Sequence, residues 1–343
     1  MFSLDRNLLR EGTLAAGRLA ALRKEAWEIE VFVPERGVKI FALWRVWRSA
    51  RAAFRARKFS FVTVQDTAYL ALLAYFVALR ARVPLEVQVH GFEKTLGIRK
   101  MIAGFVLRRA DKVRVVNKRL NDRLAVYFGV PHEKMYVLPI YTQTTPSTLA
   151  PLGVLPLRKG GEAEGNAFTF LTVGRLVPVK NIEIQIRAFA QIVREFPQAR
   201  LRIVGSGVLD DVLKSHVRRL KLKDRVVFDG QQKNLARFYE AADVFLLTSN
   251  SEGWGVAIVE AAAFGVPIIM TDVGCAGEFI KNEENGIVIP VRNEDMLVSA
   301  MRRVMQDMTL RARLSSAARR SFESLPSAEE HIQKQAAAWR TLL

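Results

Sequence analysis

Short apolar runs alternate along this 343-residue chain with longer stretches in which apolar residues recur every three or four positions. The first pattern marks strands and the second marks helices. In the first half it predicts strands near Glu28–Val33, Phe61–Val64, Leu85–Val89 and Val113–Val116, and a short one near Tyr136–Leu138. Helical stretches fall near residues 11–25, 40–57, 67–81, 98–109 and 118–127. In the second half, Phe168–Val173 reads as a strand, followed by Ile182, Ile186, Phe189, Ala190 and Val193 at helical spacing. Strand-helix alternation of this kind predicts an α/β protein with parallel sheets covered by helices on both faces. The stretch Thr142–Asn166, rich in Thr, Pro, Gly and small residues, reads as a linker with a loop. The expected division is a domain over 1–145, a linker over 146–166, a second domain over 167–325, and a last helical stretch within 326–343 that includes Trp339.

Composition narrows this picture. Half the residues are hydrophobic, a globular value. The longest apolar run, Ala68 to Leu79, is too short for a bilayer and reads as a buried helix. The first residues, Met1 to Arg6, lack the apolar centre of a signal peptide. The single cysteine, Cys275, excludes an internal disulfide framework and points to a reducing, cytoplasmic setting; as a residue it reads as a small packing group. The four histidines, His90, His132, His216 and His331, have no metal-ligand spacing, and no Asp-x-Asp motif is present. The net charge of +18 is uneven: residues 1–150 hold 26 Lys and Arg against 12 Asp and Glu, and residues 151–343 hold 26 against 22. A first half at +14 against +4 for the second calls for an anionic partner: a membrane surface, an anionic acceptor or nucleic acid.

The densest chemistry lies at Ser251-Glu252-Gly253-Trp254-Gly255-Val256-Ala257-Ile258-Val259-Glu260-Ala261. It follows the apolar run Asp243–Leu247 and the polar turn Thr248-Ser249-Asn250, and Val256, Val259, Ala263 and Phe264 then recur at helical spacing. A helix beginning near Gly255 puts Glu252 in the loop and Glu260 on the order of 8 Å along the axis. Gly253 and Gly255 leave the main chain open to a ligand. The first amides of the helix form an anion site. Two carboxylates flanking such a site suit a ligand with hydroxyls at both ends and phosphates between them, which describes a sugar nucleotide. The bland alternative is a helix-start carboxylate at Glu252 and a solvated one at Glu260. A second corner, Gly174-Arg175-Leu176-Val177-Pro178-Val179-Lys180-Asn181, joins the strand Phe168–Val173 to its helix. Arg175 offers a fork for phosphate oxygens and Lys180 a point charge; otherwise they are solvated surface charges.

These two corners, in this order, are similar to the retaining glycosyltransferases of family 4, which have the GT-B fold. The likeness covers most of residues 168–290 and includes Leu201–Gly207 with its glycine turn, Val226–Gly230, Tyr239–Val244 and Pro267–Gly274. Trp254 stands where the family more often has Phe. The resemblance implies two Rossmann-like parallel-sheet domains facing a cleft, with the last helix packing back on the N-terminal domain. It implies a UDP- or GDP-sugar donor and transfer to an acceptor hydroxyl with retention, while the basic charge favours a lipid-linked or envelope glycan as acceptor, as in envelope polysaccharide or glycolipid synthesis. Glu252 then holds the donor sugar and Glu260 the ribose, with Gly174, Gly205, Gly253, Trp254 and Gly255 about the donor. Arg175 and Lys180 neutralise the leaving diphosphate. The leaving phosphate itself serves as base, so no protein base, cofactor or metal is expected.

In the first half, Val87-Gln88-Val89-His90-Gly91-Phe92 is a strand ending in His-Gly. The resemblance places His90 toward the donor sugar and leaving phosphate; the alternative is a histidine hydrogen-bonded at a strand end. Asp66 reads as an acceptor contact or, preferably, a helix N-cap. The family's glycine-rich loop after the first strand is replaced by Ser3-Leu4-Asp5-Arg6-Asn7, which makes Asp5 and Arg6 the acceptor-side candidates. On the helix 40–58, Arg45, Arg48, Arg51 and Arg55 form one stripe, with Trp44 among them and Leu43, Trp47, Ala50 and Phe54 opposite. Such a helix either rests peripherally on the inner face of an anionic membrane or is an ordinary amphipathic helix. Arg99-Lys100 and Arg108-Arg109 add to the basic surface. Two other classes remain: a GT-B sugar-nucleotide epimerase, and a basic nucleic-acid-binding protein, for which no recognition motif is present.

Overall fold

The computed structural model describes residues 1–10, 13–25, 27–34, 40–91, 97–141 and 167–343. The linker expected over 146–166 lies outside these residues. In chain order the elements are β1 (Phe2–Ser3), α1 (Leu14–Lys24), α2 (Ile40–Ala56), β2 (Val62–Gln65), α3 (Tyr69–Ala81), β3 (Leu85–Val89), α4 (Ile98–Arg109), β4 (Lys112–Val115), α5 (Lys118–Phe128) and β5 (Met135–Val137). They continue with β6 (Phe168–Val173), α6 (Ile182–Glu195), β7 (Ala199–Val204), α7 (Asp210–Arg219), β8 (Val226–Gly230), α8 (Ala236–Glu240), β9 (Val244–Leu247) and α9 (Val256–Ala263). The last are β10 (Ile268–Thr271), β11 (Ile287–Ile289), α10 (Glu294–Gln306), α11 (Met308–Glu323) and α12 (Ala328–Arg340). Two compact units result, one of residues 1–141 with 326–343 and one of residues 142–325.

The first unit has a five-stranded parallel sheet in the order β1-β2-β3-β4-β5. The strand expected over Glu28–Val33 does not form. Only Phe32 pairs there, through an isolated parallel bridge to Phe2, with Phe32 N donating to Met1 O at 2.8 Å and Ser3 N to Phe32 O at 3.1 Å. The reason is the partner: β1 is two residues long, so it offers one bridge and no ladder, and Pro34 follows. β1 therefore has Phe32 on one side and β2 on the other.

α12 belongs to this unit. Ser327 caps it with a full capping box: its hydroxyl accepts from the Glu330 amide, and the Glu330 carboxylate accepts from the Ser327 amide. Trp339 is buried and meets Trp27 edge-on at 5.6 Å and Phe61 at 5.4 Å. Below it lies Glu86 of β3, which is fully buried. Its carboxylate accepts from Trp339 Nε1 at 2.9 Å, Gln335 Nε2 at 3.2 Å, Gln88 Nε2 at 2.8 Å and Thr63 Oγ1 at 2.5 Å, and from the Tyr136 hydroxyl. An unpaired carboxylate at that depth is prohibitively costly, whereas one surrounded by donors is tolerated.

The second unit has a six-stranded parallel sheet in the order β11-β10-β9-β6-β7-β8. Read from β8, this is the doubly wound order 3-2-1-4-5-6, with its reversal between β6 and β9. Its core is one cluster of Ile, Leu, Val and Phe that includes Phe170, Ile186, Phe189, Leu201, Ile203 and Leu246. α10 packs on α6 and α11 on α9. Among the described residues no helix is long and apolar enough to cross a membrane.

Replacing Glu86 by Ala leaves donors from β2, β3, β5 and α12 without their acceptor at once. We expect Glu86→Ala to lose about 3–5 kcal/mol of stability, measured by urea unfolding followed through tryptophan fluorescence. A loss below about 1 kcal/mol contradicts the hub role.

Candidate functional site

The reversal of strand order in the second unit puts two loops side by side. One leaves β6 and carries Gly174, Arg175 and Lys180; the other leaves β9 and carries Glu252. Crevices at such reversals, beyond the carboxyl ends of the strands, are where doubly wound sheets hold ligands. The loops are stitched together. Asn250 N donates to Val179 O at 2.7 Å, and Thr248 Oγ1 donates to Asn181 O at 3.1 Å while accepting from the buried Gln185 at 2.9 Å. Thr248 and Gln185 are supporting residues that residue type alone did not single out.

The stitching brings Lys180 onto Glu252, with Nζ to Oε1 at 2.5 Å, and Ser249 Oγ donates to the same oxygen at 2.6 Å. Both ionic side chains are largely covered, at 22% and 13% exposure. Their places in the sequence assign them to different parts of a ligand; in the structure they hold one another. Arg175 is exposed, and its side chain has no hydrogen-bond or ion-pair partner among the described residues. Gly174 passes over Lys180, and a Cβ added to this glycine meets Lys180 Cε at 3.8 Å, an ordinary contact.

Gly255 precedes α9 with φ +94°, which no L side chain adopts comfortably, so backbone conformation by itself requires a glycine there. Among the described residues no side chain caps α9; the Ile258 amide donates to Gly255 O at 2.9 Å, and the mouth of the helix carries no side-chain acceptor. Gly253 lies in the loop just before it. Trp254 is buried against Phe279 at 6.2 Å, and its indole Nε1 has no hydrogen-bond partner. Gly205, at φ +137°, lies directly on the Gly174 carbonyl: a Cβ there falls 1.9 Å from the oxygen.

Glu260 is not a solvated helix charge. It is buried, and the hydroxyl of Tyr239 donates to its Oε2 at 2.7 Å. Burial first, and the adjoining carboxylate second, push the Tyr239 phenol well above its ordinary range, so it remains a donor. Tyr239 therefore helps hold Glu260 in place; it lies in the motif-bearing segment Tyr239–Val244, but nothing in its spacing marked it. Cys275 forms no disulfide and is fully buried.

The first unit holds the remaining candidates. Asp66 Oδ2 accepts from the amides of Ala68 and Leu70 at 3.1 Å, and so caps the start of α3. Asp5 accepts from the Asn7 amide at 2.9 Å, within the turn that leads into the short 3-10 helix Arg6–Leu9. The Arg6 side chain lies outside the described set. His90 stands just beyond β3, with its Nε2 buried and unpartnered. Burial, reinforced by Arg114 and Arg18, holds its imidazole down at about 3, so it is neutral near pH 7. His331 of α12 is likewise held down at about 3, by burial first and then by Arg114, Arg18 and Lys334.

Two family models match this chain: "Glycosyl transferases group 1" over residues 156–321 and "Glycosyl transferase 4-like domain" over residues 11–140. The chain belongs to the group 1 glycosyltransferases of family 4. Among relatives of this group 1 protein, an uncharacterized glycosyltransferase of Methanocaldococcus jannaschii is 32% identical over 58% of this chain and 52% of its own length. A GDP-mannose-dependent alpha-(1-6)-phosphatidylinositol monomannoside mannosyltransferase of Mycobacterium tuberculosis is 29% identical over 73% of this chain and 68% of its own. The chain thus spans about half the length of the first of these relatives. The crystal structure of Anabaena HepE with UDP and glucose shares the GT-B fold, with a TM-score of 0.77 at 20% identity over 94% of this chain and 89% of that one.

Two outcomes are expected from the geometry. Gly205→Ala meets both a disallowed φ and a backbone oxygen and should lower stability by more than about 3 kcal/mol, read by denaturant unfolding. The two neutral histidines bear on pH dependence. Their folded pKa values, near 3, lie below the ordinary 6.5, so the unfolded chain binds more protons between these limits. Stability is then full above pH 6.5 and falls as pH drops toward 3, by up to about 1.4 kcal/mol per pH unit for each histidine. A His90→Gln/His331→Gln variant should show a shallower slope between about pH 6.5 and 5; an unchanged slope refutes the assignment.

Proposed function

We propose that this protein transfers a sugar from a UDP- or GDP-sugar to an acceptor hydroxyl, with retention of anomeric configuration and without a metal ion. The observation that carries the reading is the convergence of Lys180, Glu252 and the uncapped mouth of α9 at the strand-order reversal of the second unit. Support comes from the family membership, from HepE, crystallised with UDP and glucose, and from the mycobacterial relative named for GDP-mannose.

The barrier lies in breaking the bond from the anomeric carbon to the diphosphate, while negative charge builds on the leaving group. Cations and amides fixed before the reaction stabilise that charge without reorganising. Lys180 and Arg175 supply the cations, and the first turn of α9 supplies the amides. In the structure Glu252 pairs with the Lys180 ammonium and holds it in place. A diphosphate competes for that ammonium and leaves Glu252 to accept from a sugar hydroxyl. Glu260, oriented by Tyr239, accepts from the ribose. The leaving phosphate takes the proton of the attacking hydroxyl on the same face. His90, neutral and with an unpartnered Nε2, is suited to hydrogen-bonding a hydroxyl or phosphate oxygen.

The acceptor is proposed to be a lipid-linked or envelope glycan met at an anionic membrane. On α2, Phe41 is 68% exposed and Trp44 45% exposed, with Arg45 over the Phe41 ring at 5.6 Å and Arg48 over the Trp44 ring at 4.8 Å. Neighbouring α3 exposes Phe76 and Leu79. Between these helices a groove of about 540 Å³ is lined by Trp47, Arg51, Arg55, Phe76 and Arg80, among others. Apolar rings interleaved with guanidinium groups match an interface of acyl chains and anionic headgroups.

Lys180→Ala and Glu252→Ala should each remain folded by circular dichroism and lose at least about 100-fold in kcat, measured with radiolabelled donor. Chelation should leave the wild-type rate unchanged, and proton NMR should show an α-linked product from an α-linked donor. Near-normal transfer by both variants, or epimerised donor formed without any acceptor, overturns the assignment. Separately, Phe41→Ser/Trp44→Ser should reduce co-sedimentation with phosphatidylglycerol vesicles about tenfold, with no effect on neutral vesicles; undiminished binding removes α2 from the interface.

A further inference from the structure

Above the carboxyl ends of β2, β3 and β4, the first unit encloses a cavity of about 250 Å³. Its wall carries Arg18 of α1, His90, Arg114 of β4, His331 of α12, and Gln65 and Gln88. Arg114 is buried, and every acceptor it reaches among the described residues is neutral: Leu138 O at 3.2 Å, Pro139 O at 3.3 Å and Gln88 Oε1 at 3.3 Å. Arg18 lies against the Tyr141 ring, 5.9 Å from its centroid, but its Nε and Nη2 are buried without a hydrogen-bond partner. The Nε2 of His90 is in the same condition.

Among the described residues, the carboxylates nearby do not answer these donors. Asp5 lines the cavity but accepts from the Asn7 amide in its own turn. Glu86 lies behind Gln88, with its oxygens already engaged by five donors. Burial first, and Arg114 second, bring the Arg18 guanidinium down to about 10, which still leaves it a cation at neutral pH. Two cations thus share one cavity with donors left unmade, an arrangement suited to an anion.

We propose that this cavity binds a compact anion, a phosphate or carboxylate group, between Arg18 and Arg114, and that this group belongs to the sugar acceptor. The second clause rests on the glycosyltransferase reading; the first stands on the cavity alone. The volume admits a phosphate with a few attached atoms and leaves the remainder of an acceptor outside. Arg18 offers its unpartnered Nε and Nη2, and Arg114 adds charge from a guanidinium already fixed by backbone carbonyls. The neutral His90 and His331 add hydrogen bonding without a further charge.

The test is calorimetric titration and thermal shift on the full chain with inorganic phosphate, glycerol 3-phosphate, glycerol, and vesicles with or without phosphatidylglycerol. UDP- and GDP-sugars are titrated in parallel. Glycerol 3-phosphate should bind and raise the melting temperature, and glycerol should not. Arg18→Met should weaken that binding at least about tenfold, keep nucleotide-sugar binding, and melt no lower than the wild type when empty, because it removes a buried unsatisfied charge. Arg18→Lys should retain part of the binding. Phosphate-ester binding in solution points to a soluble anionic acceptor; binding only to anionic vesicles, weakened in Arg18→Met and weakened further when Arg18→Met is combined with Phe41→Ser/Trp44→Ser, points to a lipid headgroup. Absence of all Arg18-dependent anion binding, or a sharp drop in melting temperature for Arg18→Met with no ligand effect in the wild type, overturns the proposal and makes Arg18 structural. If nucleotide sugars fail to bind while glycerol 3-phosphate binds, the transfer reading fails and the anion site stands; the reverse result removes the anion site alone.

Discussion

Glu86 sits at the middle of a parallel sheet, where a carboxylate has no access to water and every hydrogen bond must come from protein. Its five donors come from β2, β3, β5 and α12, two of them from residues 249 and 253 positions further along the chain. That single requirement ties the last helix to the first sheet. Gln88 carries the arrangement outward: its amide donates to Glu86, and its carbonyl oxygen accepts from Arg114. Arg114 is thereby held near a negative charge it does not touch. The cavity wall, with His331 and Gln335 from α12, exists because Glu86 fixes that helix. The hydrophobic partners, Leu22, Ile332, Trp339 and Leu342, close around the same point.

The second unit solves a different problem with similar parts. Glu252 is also largely covered, but its partner is the ammonium of Lys180, a mobile cation on a flexible stem. A pair of that kind can be exchanged for a ligand, because each member finds an equivalent partner in a diphosphate or a hydroxyl. The Glu86 cluster cannot be exchanged, since its donors are fixed on four elements. Partner identity, more than depth of burial, separates a carboxylate that holds the fold from one available to a ligand. Strand order then decides location: the Lys180 and Glu252 loops meet because β6 and β9 are neighbours at the reversal.

Most elements were legible because their periodicity is strong. The strands and helices of the second unit near the two motif corners, and the helices of the first, follow the apolar spacing closely. The failures have physical causes. Leu85-Glu86-Val87-Gln88-Val89 alternates as a half-solvated strand does, and this pattern gives no sign that Glu86 and Gln88 are buried. Register shows otherwise: Thr63 lies beside Glu86, Gln88 beside Arg114, and Arg114 beside Tyr136, forming one polar face that is covered rather than wet. Glu28–Val33 has strand composition but no ladder to join. β11, Ile287–Ile289, is too short for a periodic signal. At the site, Glu252 and Lys180 were visible as residue types, but their mutual pairing, and the grip of Tyr239 on Glu260, depend on contacts across 72 and 21 residues.

The basic character of the first unit therefore has two physically distinct parts. The arginines of α2 lie on the surface, where charges are screened within roughly 8–10 Å at physiological salt. They contribute a diffuse attraction that strengthens only when the adjoining rings are also desolvated. Arg18 and Arg114 lie inside low-dielectric walls, where screening by salt is weak and each unmade hydrogen bond counts in full. A surface of the first kind selects where the protein rests; a cavity of the second kind selects what chemical group enters it. A net charge reports their sum and separates neither. The distinction comes from burial and partners, which the fold supplies through the carboxylate at the centre of the sheet.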